Sequence, residues 1–119
     1  MIPSSASLRK RNLTRELKRI LPRIIQGYRP SKIILFGSLV TGQVTESSDI
    51  DLAIVKATKK RFLDRVGDIL SIADPKFSMD ALVYTPREWS QMIKENRYFV
   101  KEEILKRGKV LYERKQPLV

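Results

Sequence analysis

Three short runs of branched and aromatic side chains, Ser31–Phe36 (SKIILF), Asp49–Val55 (DIDLAIV) and Phe77–Tyr84 (FSMDALVY), alternate with segments whose apolar residues recur at helical spacing. This alternation restricts the chain to an α/β or α+β domain with one small sheet backed by helices. The first helical segment, about residues 8–27, carries Leu13, Leu17, Ile20, Leu21, Ile24 and Ile25 among mostly basic residues. It follows a frayed start over residues 1–7, with Ser5 or Ser7 as N-cap. Pro22 is expected to kink this helix or split it, Gly27 to stop it, and Tyr28-Arg29-Pro30 to form a turn. Residues 39–46, with Gly42, open as a helical turn. A helix over Lys59–Ile72 has Phe62, Leu63, Val66, Ile69 and Leu70 on its apolar face. Another runs from Pro86 to about Asn96 with Thr85 as N-cap, a further one spans 97–107 and stops at Gly108, and Lys109–Glu113 closes the sheet as an edge strand.

At 119 residues the chain is one domain, divided into a basic helical segment, 1–28, and a core, 31–113. It contains no cysteine and no histidine, which excludes disulfides, thiolate or imidazole metal sites and histidine general bases. Catalysis must then rest on carboxylates, hydroxyls, lysines, arginines or the backbone. No apolar run approaches the ~20 residues of a membrane span, and no signal peptide opens the sequence, so the cytoplasm is the expected compartment. The net charge is +11, and +8 of it falls in residues 1–32, where nine basic residues face one acid, Glu16. Such a segment is a solvated helix face, a dock for an acidic protein, or a nucleic-acid-binding face. Only Tyr28 lies near it as an aromatic for base stacking, which favours protein over nucleic acid as the partner.

The stretch that carries chemistry is Gly37–Val55, GSLVTGQVTESSDIDLAIV. Asp49 and Asp51 lie two apart on a strand, so both carboxylates face one side while Ile50, Leu52 and Ile54 face the other. Ala53 is small and leaves room beside them. Carboxylates this close in a mostly buried setting repel unless a cation neutralises them, and Mg²⁺ is the natural partner. Asp80 lies in the middle of the next apolar strand, a costly place for an unpartnered acid, and reaches the same cation if the two strands are neighbours. Carboxylates converging on one or two metal ions serve in-line phosphoryl or nucleotidyl transfer. Gly37-Ser38 follows a strand and opens a turn, so its backbone N–H groups and the Ser38 hydroxyl can hold phosphate.

Gly37-Ser38, ten intervening residues and Asp49-Ile50-Asp51 resemble the signature of the DNA polymerase beta-like nucleotidyltransferase superfamily. The FGS…SDIDLAIV string, the chain length and the tail from Tyr84 to Glu113 are most similar to the stand-alone minimal nucleotidyltransferases of prokaryotes. The resemblance spans about residues 20–113 and is sharpest over 37–55 and at Asp80. It implies a small mixed sheet backed by helices. It also implies that Asp49 and Asp51 bind two Mg²⁺ ions, and that Asp80 binds the catalytic ion and helps deprotonate the attacking hydroxyl. Gly37 and Ser38 would bind the triphosphate of ATP. Apart from the resemblance, Ser48 is a loop residue placed to orient Asp49 and a third candidate for nucleotide binding. Many such proteins are encoded next to a HEPN-domain ribonuclease toxin and act as its antitoxin by transferring AMP to a toxin tyrosine. The implied partner is therefore a HEPN toxin, with a homo-oligomer left open.

One departure stands out. The family often places an arginine after Gly-Ser, where this chain has Leu39-Val40-Thr41. The missing contact is worth about 1.5–3 kcal/mol to a phosphate. Arg87, Arg97 or Lys101 are the candidates to replace it, and a purely binding antitoxin is the alternative. Trp89 and Met92 read as core, Tyr98 and Phe99 as packing residues.

Overall fold

A computed structural model describes residue 2 and residues 4–115. Met1 and Pro3 of the expected frayed start, and the last four residues of the 1–119 domain, lie outside the described residues. Helix α1 spans Ser5–Tyr28, β1 Lys32–Phe36, α2 Ser38–Thr41, β2 Ile50–Val55, α3 Phe62–Ala73, β3 Met79–Tyr84 and α4 Pro86–Lys94. A π-helix follows over Phe99–Lys106, and β4 over Lys109–Glu113 ends the described order.

The sheet is mixed, in the order β3-β2-β1-β4. β1 pairs antiparallel with β2 and with β4, while β2 and β3 run parallel. Each face buries a separate apolar cluster. Ile33, Leu35, Ile50, Leu52, Ile54 and Val83 pack beneath α1 and α3, against Leu13, Ile20, Ile24 and Ile69. Ile34, Phe36, Ala53 and Val55 pack beneath α4 and the π-helix, against Trp89, Val100 and Ile104. Burial on both sides explains why β1 and β2 read as near-continuous apolar runs. Ala53 is thus a fully buried part of the second core, and the room beside the carboxylates lies nearer the strand ends.

Several local expectations are corrected. Ser4 caps α1, its side chain accepting from the Ser7 N–H, so neither Ser5 nor Ser7 is the cap. The helix runs through Pro22 without splitting and through Gly27 to Tyr28, and Arg29 ends it in the left-handed region at φ 55°. Pro22 removes one hydrogen bond, but Leu13, Ile20 and Ile24 hold the helix on the sheet across that point. Gly27 is required for packing: a Cβ there would stand 2.8 Å from Ile72 Cγ2 on α3. The apolar face expected of α3 is turned outward in part, with Leu63 83% exposed, while Arg65, Ile69 and Ala73 are its buried residues. Tyr98 is 73% exposed and does not pack, whereas the Phe99 ring meets Phe36 edge-on at 5.7 Å. Trp89 is buried, as a core residue should be.

Two buried polar side chains tie the layers together. Arg65 donates to the carbonyls of Lys60 and Val83 and forms a bidentate pair with Glu88 at 2.6 and 3.1 Å. Glu88 also closes a capping box with Thr85 at the start of α4. Glu16 accepts from Arg19 at 2.7 Å and from the Lys76 N–H, joining α1 to the turn before β3. The Arg19 hydrogen bond, with that N–H, holds the Glu16 carboxyl below the usual carboxylate range. Among the described residues, no helix is long and apolar enough to cross a membrane.

Candidate active site

Phe36 ends β1 opposite Asp51, and Asp51 stands in register with Asp80 on the parallel neighbour β3. Side chains level on adjacent strands point to the same face. The two carboxylates therefore meet at the N-terminal ends of β2 and β3, on the side covered by the π-helix. Ile50 N–H donates to the Ser78 carbonyl at 3.1 Å and fixes this register at its first residue. Asp51 is partly buried and Asp80 is exposed, so the site opens outward through Asp80. Both line a cavity of about 540 Å³ whose walls include Phe36, Phe99, Phe62 and Leu63.

Burial pushes the Asp51 carboxyl up to about 6, with further upward pressure from the charges of Asp80 and then Asp49. Withdrawal from water is thus the leading cause, and the neighbouring acids add to it. Asp49 sits one residue before β2, not within it, and its Oδ1 lies 3.8 Å from Arg9 Nη2. Arg9 reaches over from α1: its Nε donates to the Ser48 carbonyl at 2.8 Å, and its guanidinium stands 5.6 Å from the centre of the Phe77 ring. Ser48 is buried and its hydroxyl accepts from the Thr45 N–H at 2.8 Å. Ser48 thus shapes the turn leading into Asp49.

Gly37 adopts φ 80° and ψ −158°, a conformation closed to side-chain-bearing residues without strain. A Cβ at this position would land on Asp51 Oδ2. The Gly37 backbone therefore lies directly against the carboxylate. From there the chain turns into α2, with the Val40 and Thr41 N–H groups donating back to the Gly37 carbonyl at 3.1 Å each. The N–H groups of Ser38 and Leu39 open this short helix, where no preceding carbonyl can take them.

The residues named from sequence fall into two groups. Asp51, Asp80 and Gly37 come together directly; Asp49 and Ser48 lie beside them, held by Arg9; and Ser38 opens the adjoining turn. Arg87 and Arg97 are not brought to the carboxylates. They line a neighbouring cavity of about 640 Å³ with Tyr84 and Met92, and Arg97 is paired with Glu95 at 2.8 Å. Arg9 is the cation that reaches the acidic site, where it contacts Asp49 and the Ser48 carbonyl. Local pattern could not have found it, because its partners lie on another element far along the chain.

Two or three carboxylates with no soft ligand are the donor set of a hard divalent ion. Asp51 and Asp80 fit such an ion. Among the described residues, however, no group of three or more acidic side chains is arranged to hold a metal.

Residues 16–117 match the family described as Polymerase beta, Nucleotidyltransferase, and the chain belongs to that family. Its fold is similar to a crystal structure from Sulfolobus solfataricus provisionally described as a nucleotidyltransferase, with a TM-score of 0.65 at 17% sequence identity. That match covers 99% of this chain and 96% of the other. No curated protein matches the chain significantly. The small mixed sheet backed by helices is therefore the polymerase beta-like nucleotidyltransferase fold.

Proposed function

We propose that this chain is a minimal nucleotidyltransferase that moves AMP from ATP to a hydroxyl on a partner protein. The partner we favour is a HEPN-type ribonuclease toxin modified on a tyrosine in the cytoplasm, with this chain as its antitoxin. The observation that carries the reading is the register pair Asp51–Asp80, set against the Gly37 turn. The exposed apolar flank of Phe62, Leu63 and Leu70 beside Asp80 supports a macromolecular acceptor.

In this reading, Asp51 and Asp80 would hold Mg²⁺, with Asp49 joining them once released from Arg9, and the ion would supply the positive charge that the carboxylates and the triphosphate both need. The Ser38 hydroxyl and the first N–H groups of α2 hold phosphate oxygens. Asp80, the exposed member of the pair, takes the proton from the acceptor hydroxyl. The hydroxyl oxygen forms a bond to the α-phosphorus, the bond from that phosphorus to the bridging oxygen breaks, and pyrophosphate leaves with the electron pair. Gly37 keeps the space between turn and carboxylate free of side chain.

A second reading, neutralisation of the toxin by binding alone, draws support from the Arg9–Asp49 pair, which engages one of the three acids. One experiment separates the two. Co-purified toxin and chain are incubated with α-labelled ATP and Mg²⁺, and the toxin is examined for an added AMP. Labelled toxin with wild type, and none with Asp80→Asn, is the expected result. Full neutralisation by Asp80→Asn without any label would establish the binding reading instead.

A further inference from the structure

We propose that the outward face of α1 docks the phosphate backbone of a nucleic-acid duplex. This goes beyond the transfer reading and does not depend on it. Ser7, Lys10, Arg11, Thr14, Arg15 and Lys18 line a shallow groove of about 450 Å³ along the helix, and all six are exposed. Arg11 and Arg15 lie four apart and Arg15 and Lys18 three apart, so these like charges press on one another, and Lys10 extends the row two turns before Lys18.

Nothing within the helix relieves that repulsion. Glu16, the one acid between Ser5 and Tyr28, faces inward and is taken by Arg19 and the Lys76 N–H. Among the described residues, the ion pairs made by α1 are those of Arg9 with Asp49 and of Arg19 with Glu16. The four groove cations are not among them.

The composition of the groove selects the partner. An acidic protein would bring an interface with an apolar or aromatic anchor at its centre, and the groove lining contains only cations and hydroxyls. A single strand would be gripped by aromatic platforms, yet the nearest aromatic on α1, Tyr28, is buried. A duplex presents its phosphates outward and asks only for cations and hydroxyl donors. From Lys10 to Lys18 the helix rises about 12 Å, a length over which a duplex offers about seven phosphates.

The test is fluorescence anisotropy of a labelled DNA duplex of about 20 base pairs with the full chain, across a salt series. Four phosphate contacts predict a slope of about −3.6 in log affinity against log salt, or an affinity loss of about 150-fold between 50 and 200 mM salt. The variant Lys10→Gln/Arg11→Gln/Arg15→Gln/Lys18→Gln, with its helix content checked by circular dichroism, should lose that slope and bind more than about tenfold more weakly at the lowest salt. The charge-matched control Lys59→Gln/Lys94→Gln/Lys101→Gln/Lys109→Gln should bind as wild type. Absence of duplex binding at 50 mM salt, equal loss in the control, or tighter binding of a single strand or a poly-glutamate peptide would overturn the proposal. None of these outcomes bears on AMP transfer, which is read separately.

Discussion

Arg9 Nη2 lies 3.8 Å from Asp49 Oδ1, and the same guanidinium is anchored through Nε on the Ser48 carbonyl. The basic first helix thus touches the acidic site at one point. That pair is part-exposed on both sides and contributes up to about 1 kcal/mol. Arg9→Gln should leave thermal stability within about 1 kcal/mol of wild type and free Asp49 for Mg²⁺. The Mg²⁺ concentration for half-maximal transfer should then fall by up to about fivefold. A magnesium titration of label transfer checks this, and an unchanged midpoint would show that Arg9 does not compete for Asp49.

Asp51 gives a pH signature of defined sign. Its carboxyl sits at about 6 in the fold and near the ordinary aspartate value in the unfolded chain. The folded state therefore holds the extra proton between those values, and stability declines as pH rises from about 4 to about 6, then levels off. Asp51→Asn removes that decline. Melting temperatures of wild type and variant across this range, without divalent ions, should diverge in favour of the variant as pH rises. Parallel curves would count against a carboxyl raised by burial among acids at this position.

Gly37→Ala combines a positive φ with a Cβ directed onto Asp51 Oδ2. The backbone term alone costs about 1–3 kcal/mol, because φ 80° with ψ −158° is a region that only glycine adopts freely. Denaturant unfolding should show at least that loss, and nucleotidyl transfer should vanish even at temperatures where the variant stays folded. Gly42→Ala is the comparison: φ is also positive there, at 85°, but no atom lies within 4 Å of the added carbon. It should lose stability and keep transfer.

Arg65→Ala removes a buried guanidinium that joins α3, β3 and α4 through Val83 O and Glu88. Glu88 is half-exposed and stays solvated when its partner is removed, so the loss is that of charge-assisted hydrogen bonds, about 1.5–3 kcal/mol. A urea titration should register a shift of that size. Because β3 carries Asp80, transfer should weaken in parallel. A change below about 1 kcal/mol would mean that the tie is not what holds β3 in place.

Much of this architecture was legible in the residues, since alternation and helical spacing are local. DIDLAIV announces a strand with its acids on one side, and that side is where Asp51 stands with Asp80. The parallel register that levels these two acids was not legible, because a strand does not encode its neighbour. Periodicity found the apolar stripe of α3 but not its direction: Arg65, bonded to Val83 O and Glu88, turns Leu63 toward solvent. Local rules allow Pro22 either a kink or a split, and they omit the packing of Ile20 and Ile24 on either side of it, which keeps α1 a single helix. The Arg9 contact depends on where α1 lies across the sheet, which no short motif reports.

Strand β2 is flanked by β1 on one side and β3 on the other, so it is interior to the sheet. Its amides alternate between two partners: those of Ile50, Leu52 and Ile54 face the edge strand β3, and those of Asp51, Ala53 and Val55 face the interior strand β1, where they exchange only when the centre of the sheet parts. Deuterium uptake at Ala53, whose N–H faces β1, therefore reports the deepest opening of the sheet, while uptake at Leu52 and Ile54 reports the loosening of β3 and uptake in β4 that of the other border.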